Sequence, residues 1–239
     1  MRPGKGRACA AVASALLVTA CVAPTRPAPV GPSQAEWDHA RVELARLRSE
    51  LPQRPYTQPI HVSLREPITG KRFDGRGAVG VDPGHAMRMI LIGPGGGTAL
   101  DVWVTRDAWR MVVPAISFVK RGGVEAPAST PIGFFRAWFV DPLGGRLLAI
   151  GPTGSLVLRD DSGGTTELEI VSRPGLFAGV GRRRSGTATE RFTWEPRADG
   201  GKASYRHLGS GLRVAVELGP PQSEPPDAAA FADPDGAQR

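Results

Sequence analysis

Between residues 75 and 114 apolar and polar positions alternate with a period of two, the spacing that puts successive side chains on opposite faces of a strand. The alternation predicts strands over 75–81, 87–92, 99–104 and 109–114. DPGH, GPGGG and TRD separate them, supplying the Gly, Pro and Asp chemistry of tight reversals. Such short connections exclude crossover helices, so the strands must pair antiparallel as a meander. Arg88, Asp101 and Arg110 then share one face. Met87, Met89, Leu91, Leu100, Val102, Val104, Trp109, Met111 and Val113 share the other. An apolar face of this breadth needs a cover.

Two flanking segments have helical spacing instead. Ser33-Gln34-Ala35-Glu36 is a capping-box pattern, and Trp37, Ala40, Leu44, Leu47 and Leu51 form one stripe before Pro52 stops the helix. A single stripe implies docking on the sheet. Thr130 before Pro131 reads as a helix start, after which Phe134, Phe135, Trp138 and Phe139 share a helix face until DPLGG ends it. This aromatic helix is expected across the concave side of the sheet. A further strand is read over 59–65 and another over 115–121. A second group is read over 147–150, 155–159, 165–172, 187–194, 203–208 and 212–218, with 179–186 as a loop. The Pro- and Asp-rich stretch 219–239 reads as a disordered tail.

The N-terminus adds an address. Arg2, Lys5 and Arg7 precede an apolar run over 8–20 that is too short for comfortable membrane spanning and so reads as a signal peptide. The run ends Leu17-Val18-Thr19-Ala20-Cys21, which resembles a bacterial lipobox, with Cys21 as the acylated residue. Val22 is not the Asp that retains lipoproteins in the inner membrane, so the outer membrane is the expected destination, with the chain on its periplasmic face. Residues 22–32, VAPTRPAPVGP, form a Pro-rich tether. The domain organisation is thus a signal peptide (1–20), acylated Cys and tether (21–33), a β-rich domain (34–218) and the tail (219–239).

Composition narrows the function. The chain has 30 basic and 23 acidic residues, a net +7. Loss of the signal leaves 27 basic residues and a net +4. That excess suits anionic headgroups and gives no reason to invoke nucleic acid. Only Cys21 of the two cysteines survives cleavage, which excludes an internal disulfide and a catalytic thiol.

Catalytic and metal patterns are missing. Gly93 to Thr98 lacks the Lys of a phosphate loop and joins two strands. His39, His61, His85 and His207 form no metal-ligand pair, and Asp160 to Gly164 lacks calcium-loop spacing. Gly209-Ser210-Gly211 is not a nucleophile elbow. Arg182, Arg183 and Arg184 are the one dense basic run, read as solvated loop or a contact with acidic lipid. No cofactor, metal or enzymatic activity is expected.

Lipobox, tethered helix, a meander containing MRMILIGPGGGTALDVWV, an aromatic helix and a second β half together resemble the LolA/LolB-like outer-membrane lipoprotein family. The family's turn pattern corresponds to Leu91-Ile92-Gly93-Pro94-Gly95-Gly96. The resemblance implies a mainly β fold with a few helices: an unclosed antiparallel barrel (a half-barrel) with helices over its concave face. It implies a hydrophobic cavity lined by Met87, Met89, Leu91, Leu100, Val102, Trp109, Met111, Phe134, Phe135, Trp138 and Phe139. It further implies binding of lipid or lipoprotein acyl chains and aid in lipoprotein or lipid insertion, with lipoprotein acyl chains or a periplasmic carrier as partner, as a LolB-like lipoprotein. The alternative is a non-catalytic structural lipoprotein of an envelope assembly whose cavity is filled by its own aromatic residues. One departure is plain: the turn 94–97 lacks the protruding Leu that LolB uses in delivery.

Overall fold

The structure, a computed structural model, describes residues 31–65, 70–127, 130–151, 153–159, 164–173, 176–184, 187–197, 200–222 and 224–236. The signal run, Cys21 and most of the tether lie outside them. Helix α1 (Gln34–Glu50) opens with the expected capping box: Ser33 Oγ accepts from the Glu36 N–H, and the Glu36 carboxylate accepts from the Ser33 N–H at 2.6 Å. That bond from the Ser33 backbone, seconded by the Ser33 hydroxyl, holds the Glu36 pKa below the usual carboxylate range.

After α1 the chain runs β1 (Tyr56–Arg65), β2 (Arg72–Asp82), β3 (Ala86–Ile92), β4 (Thr98–Thr105), β5 (Trp109–Val113) and β6 (Phe118–Gly122). The aromatic segment follows, as α2 (Ile132–Phe135) continued by a π-helical turn (Arg136–Val140). Then come β7 (Arg146–Ile150), β8 (Leu156–Arg159), β9 (Thr165–Arg173), β10 (Leu176–Arg184), β11 (Thr187–Arg197), β12 (Gly200–His207) and β13 (Arg213–Leu218). Among the described residues 13 strands form one antiparallel sheet in the order β6-β5-β4-β3-β2-β1-β13-β12-β11-β10-β9-β8-β7. Two meanders are therefore joined along β1 and β13, and β6 and β7 end the sheet without meeting. The fold is the expected unclosed half-barrel.

The hairpins follow the chemistry of their turns. His85 N–H donates to Asp82 O at 3.0 Å, Gly96 N–H to Gly93 O at 3.0 Å, and Thr105 N–H to Ala108 O at 2.8 Å. Gly77 meets a different demand: a Cβ there would lie 1.9 Å from the Ile90 carbonyl oxygen, so glycine lets β2 press against β3.

Apolar packing covers one face of the sheet twice. The larger cluster joins inward residues of β1 to β5, β12 and β13 to the aromatic segment. The smaller joins Ala40, Leu44 and Leu47 of α1 to Leu143, Leu156, Leu158 and Leu168, and Phe192 touches both clusters. Arg48 fastens α1 by donating to Leu143 O at 2.8 Å and to Gly145 O at 2.6 Å.

Three expectations need correction. Pro114–Ile116 coil into a 3-10 turn, and Ser117 takes a left-handed φ of 49°, so β6 begins at Phe118 and not at residue 115. Residues 179–184 belong to a strand, β10, because backbone pairing with β9 and β11 overrides a Gly-rich local sequence. The segment 219–236, expected to be disordered, has defined structure over its described residues. Gln222 bridges Thr57, Asp227 caps a 3-10 turn (Ala228–Phe231), and the Trp103 indole N–H donates to Phe231 O at 2.8 Å. Its carboxylates answer the arginines of the polar face. Arg110 contacts Asp235 at 3.1 Å, and Arg121 contacts both Asp233 (2.8 Å) and Asp235.

Candidate functional site: the concave face and its aromatic plug

Period-two alternation places Met87, Met89 and Leu91 of β3, Leu100 and Val102 of β4, and Trp109 of β5 on the concave side. All six are buried, and Met111 packs against them half-buried. Facing them, the aromatic segment inserts Phe134, Phe135 and Phe139, each at most 3% exposed, with Trp138 half-buried at the margin. The structure thus gathers all these expected residues into one cluster. They pack on one another in a single buried cluster. Phe134 stacks on Tyr205 of β12 with centroids 4.7 Å apart, and meets Trp138 edge-on at 4.8 Å. The Tyr205 hydroxyl in turn donates to the Glu190 carboxylate at 3.3 Å.

The segment is a helix of an unexpected kind. Thr130 does not cap it, because its hydroxyl donates to Pro127 O at 2.9 Å, and the N-cap Pro131 offers no side-chain hydrogen bond. After one α turn the backbone widens, with Asp141 N–H reaching Arg136 O, five residues back, at 3.0 Å. The wider turn accommodates bulky residues at Phe135, Trp138 and Phe139.

Two latches hold this plug. Arg136 donates to Thr105 O at 2.9 Å, to Gly123 O at 3.2 Å and to Val124 O. Gly84 N–H donates to Val140 O at 2.8 Å. Both latches run to turns or strand ends at one end of the sheet. Neither Arg136 nor Tyr205 stood out in the sequence. An arginine inside an aromatic run is the one local hint for the first, and nothing local singles out the second. Burial pushes the phenol of Tyr56, which packs against the same cluster, up to about 12.

Cys21, the expected lipidation site, lies outside the described residues. Among the described residues no three His, Cys, Asp or Glu side chains are grouped to hold a metal ion. No described helix is long and apolar enough to cross a membrane.

No family model matches the chain, and no curated protein does. Among solved structures, a LolA superfamily protein from Nitrosomonas europaea superposes with a TM-score of 0.56 at 11% identity, covering 81% of this chain and 97% of its own. A putative outer membrane lipoprotein-sorting protein domain from Vibrio parahaemolyticus gives 0.48 at 11% identity, over 81% and 97%. A DUF1329 family protein from Desulfovibrio piger gives 0.46 at 13% identity, over 84% and 98%. The first likeness shows that the fold is shared with the LolA superfamily structure. At that identity it shows the fold alone.

Proposed function

We propose that this chain is a lipid-anchored envelope protein, held through Cys21 on the periplasmic face of the outer membrane. In this reading its concave face takes up an acyl chain when the aromatic segment withdraws. The observation that carries it is the form of the plug: a short helix without a side-chain cap, packed by aromatic contacts and fastened by hydrogen bonds from Arg136 and Gly84. With the segment out, Met87, Met89, Leu91 and Val102 would line a slot, and thioether side chains adapt well to flexible alkyl ligands. The role is binding and hand-over, as in a LolB-like lipoprotein, and not catalysis. The fold shared with a LolA superfamily protein supports it, as does the lipobox.

A second reading is a structural lipoprotein of an envelope assembly. The near-complete burial of Phe134, Phe135 and Phe139 favours it, since the face is already filled.

Native mass spectrometry with a palmitoylated peptide separates the two. The full chain carrying Cys21→Ala should bind one peptide, and Arg136→Ala, which opens the main latch, should bind it more tightly. Met89→Arg, in a variant that keeps its circular dichroism, should abolish uptake. No peptide on either the Cys21→Ala chain or its Arg136→Ala derivative would leave the structural reading.

A further inference from the structure

The polar face carries an arrangement that acyl-chain binding does not use. Arg65 of β1 lies directly opposite Arg72 of β2 and directly opposite Arg213 of β13. Arg213 lies opposite Arg206 of β12, and Arg206 opposite Arg191 of β11. Five arginines thus stand in one row across five adjacent strands. At about 4.8 Å between neighbouring strands the row is about 19 Å long. All five are exposed, while Val214 and Tyr205 between them point inward and are buried.

Like charges directly opposite one another destabilise a sheet. Opposed arginines recur at Arg110 and Arg121, where Asp233 and Asp235 answer them, and at Arg146 and Arg159. Four positions further along β1 the same strands place Arg76, His61, Glu217 and Lys202 side by side, and Lys202 pairs with Glu217 at 2.8 Å. In the arginine row only Arg72 has a carboxylate, Asp74 at 2.9 Å. Among the described residues Arg65, Arg191, Arg206 and Arg213 have none.

Shape supplies a second, independent observation. A half-open recess of about 730 Å³ lies over this part of the sheet, lined by the five arginines together with Ser63, Thr193 and Ser204, and bounded by His61 and Glu217. The hydroxyl residues occupy the next outward row, Ser63 and Ser204 each opposite Ala215, and Thr193 opposite Ser204. Guanidinium forks recognise phosphate; the hydroxyls beside them are engaged within the protein, Ser63 donating to Asp74 and Thr193 paired with Ser204. β10 places Arg182, Arg183 and Arg184 at the same end of the sheet.

We propose that this cavity binds two or more phosphate groups at once, from one polyphosphate or from neighbouring lipid headgroups, which bridge the arginine row and relieve its repulsion. The chemistry is shared by an anionic lipid headgroup and by a free polyphosphate, and the test distinguishes the two sources. The full chain carrying Cys21→Ala is titrated at low salt with inorganic tripolyphosphate. In parallel it is sedimented with vesicles of phosphatidylcholine containing phosphatidylglycerol, against phosphatidylcholine alone. The double variant Arg65→Gln/Arg213→Gln should bind about tenfold more weakly or worse, while Arg41→Gln, a single exchange of the same kind on α1, should bind as the parent does.

Because the double variant loses repulsion, its thermal midpoint should hold or rise, so weaker binding cannot be ascribed to unfolding. Phosphatidylglycerol-dependent sedimentation that depends on Arg65 and Arg213 assigns the site to headgroups. Tripolyphosphate binding without it assigns the site to soluble phosphates. No binding of either probe, or binding equal in parent and double variant, overturns the proposal.

Discussion

Two sets of arginines on the same polar face are treated in opposite ways. Over β3 to β6, Arg88 and Arg110 share Asp101 at 3.1 and 3.5 Å, and the C-terminal segment brings Asp233 and Asp235 to Arg110 and Arg121. Over β11 to β2 the arginines face one another, and among the described residues only Arg72 has a carboxylate. The first region is closed by the chain's own anions. The second keeps its charge for something else.

Breaking the neutralised half should have the largest effect. Asp101→Asn leaves Arg88 and Arg110, both mostly buried at their side chains, without their shared anion. A loss of about 2–3 kcal/mol is expected in chemical denaturation. Ending the chain after Gln222 removes Asp233, Asp235 and the Phe231 carbonyl that receives the Trp103 indole. That truncation should lower stability by about 2 kcal/mol and red-shift Trp103 emission.

The apolar side offers a control in which charge is unwelcome. Burial raises the Tyr56 phenol from an ordinary value near 10 to about 12 by favouring its neutral form. Its contribution is therefore complete below pH 10 and is lost as pH climbs toward 12, on the order of 2 kcal/mol. Tyr56→Phe should remove that part of the alkaline destabilisation, read as the difference in melting temperature between pH 9 and pH 11.5. The smallest effect has the opposite sign. Arg213→Gln in the bare row should stabilise by about 0.5 kcal/mol, and the gain should shrink in high salt.

The first meander was legible because its signals agree. Alternation, reversal dipeptides and the Arg88–Asp101–Arg110 face all point to the same strands, and α1 declares itself through Ser33 and Glu36. β10 was not legible. LFAGVGRRR has glycines and charges where a strand usually has branched residues, and only its neighbours β9 and β11 make it one. The aromatic segment was readable as aromatic and helical, but its π turn packs against β2, β3 and β4, which no local sequence reveals. The tail was misread for a physical reason: Pro and Asp composition argues against a core, and this segment needs none. It is held by ion pairs, an indole hydrogen bond and hydrogen bonds from Gly219 and Gln222 to β1. The arginine row was invisible because its members lie far apart in the chain, and only the register unites them.

The seam between β1 and β13 bears on how the molecule is made. Every other strand pairing joins neighbours in the chain, so each meander can zip locally as a series of hairpins. The pairing of Ile60 with Leu218 and of Arg65 with Arg213 must instead wait until nearly the whole chain exists, and it closes the longest loop in the fold. We expect this closure to be the slow step of folding. A cut in the stretch 123–127, which precedes the aromatic segment, would leave each half with a complete meander. The two fragments should then find each other through β1 and β13, as partners that assemble and not as one chain that folds.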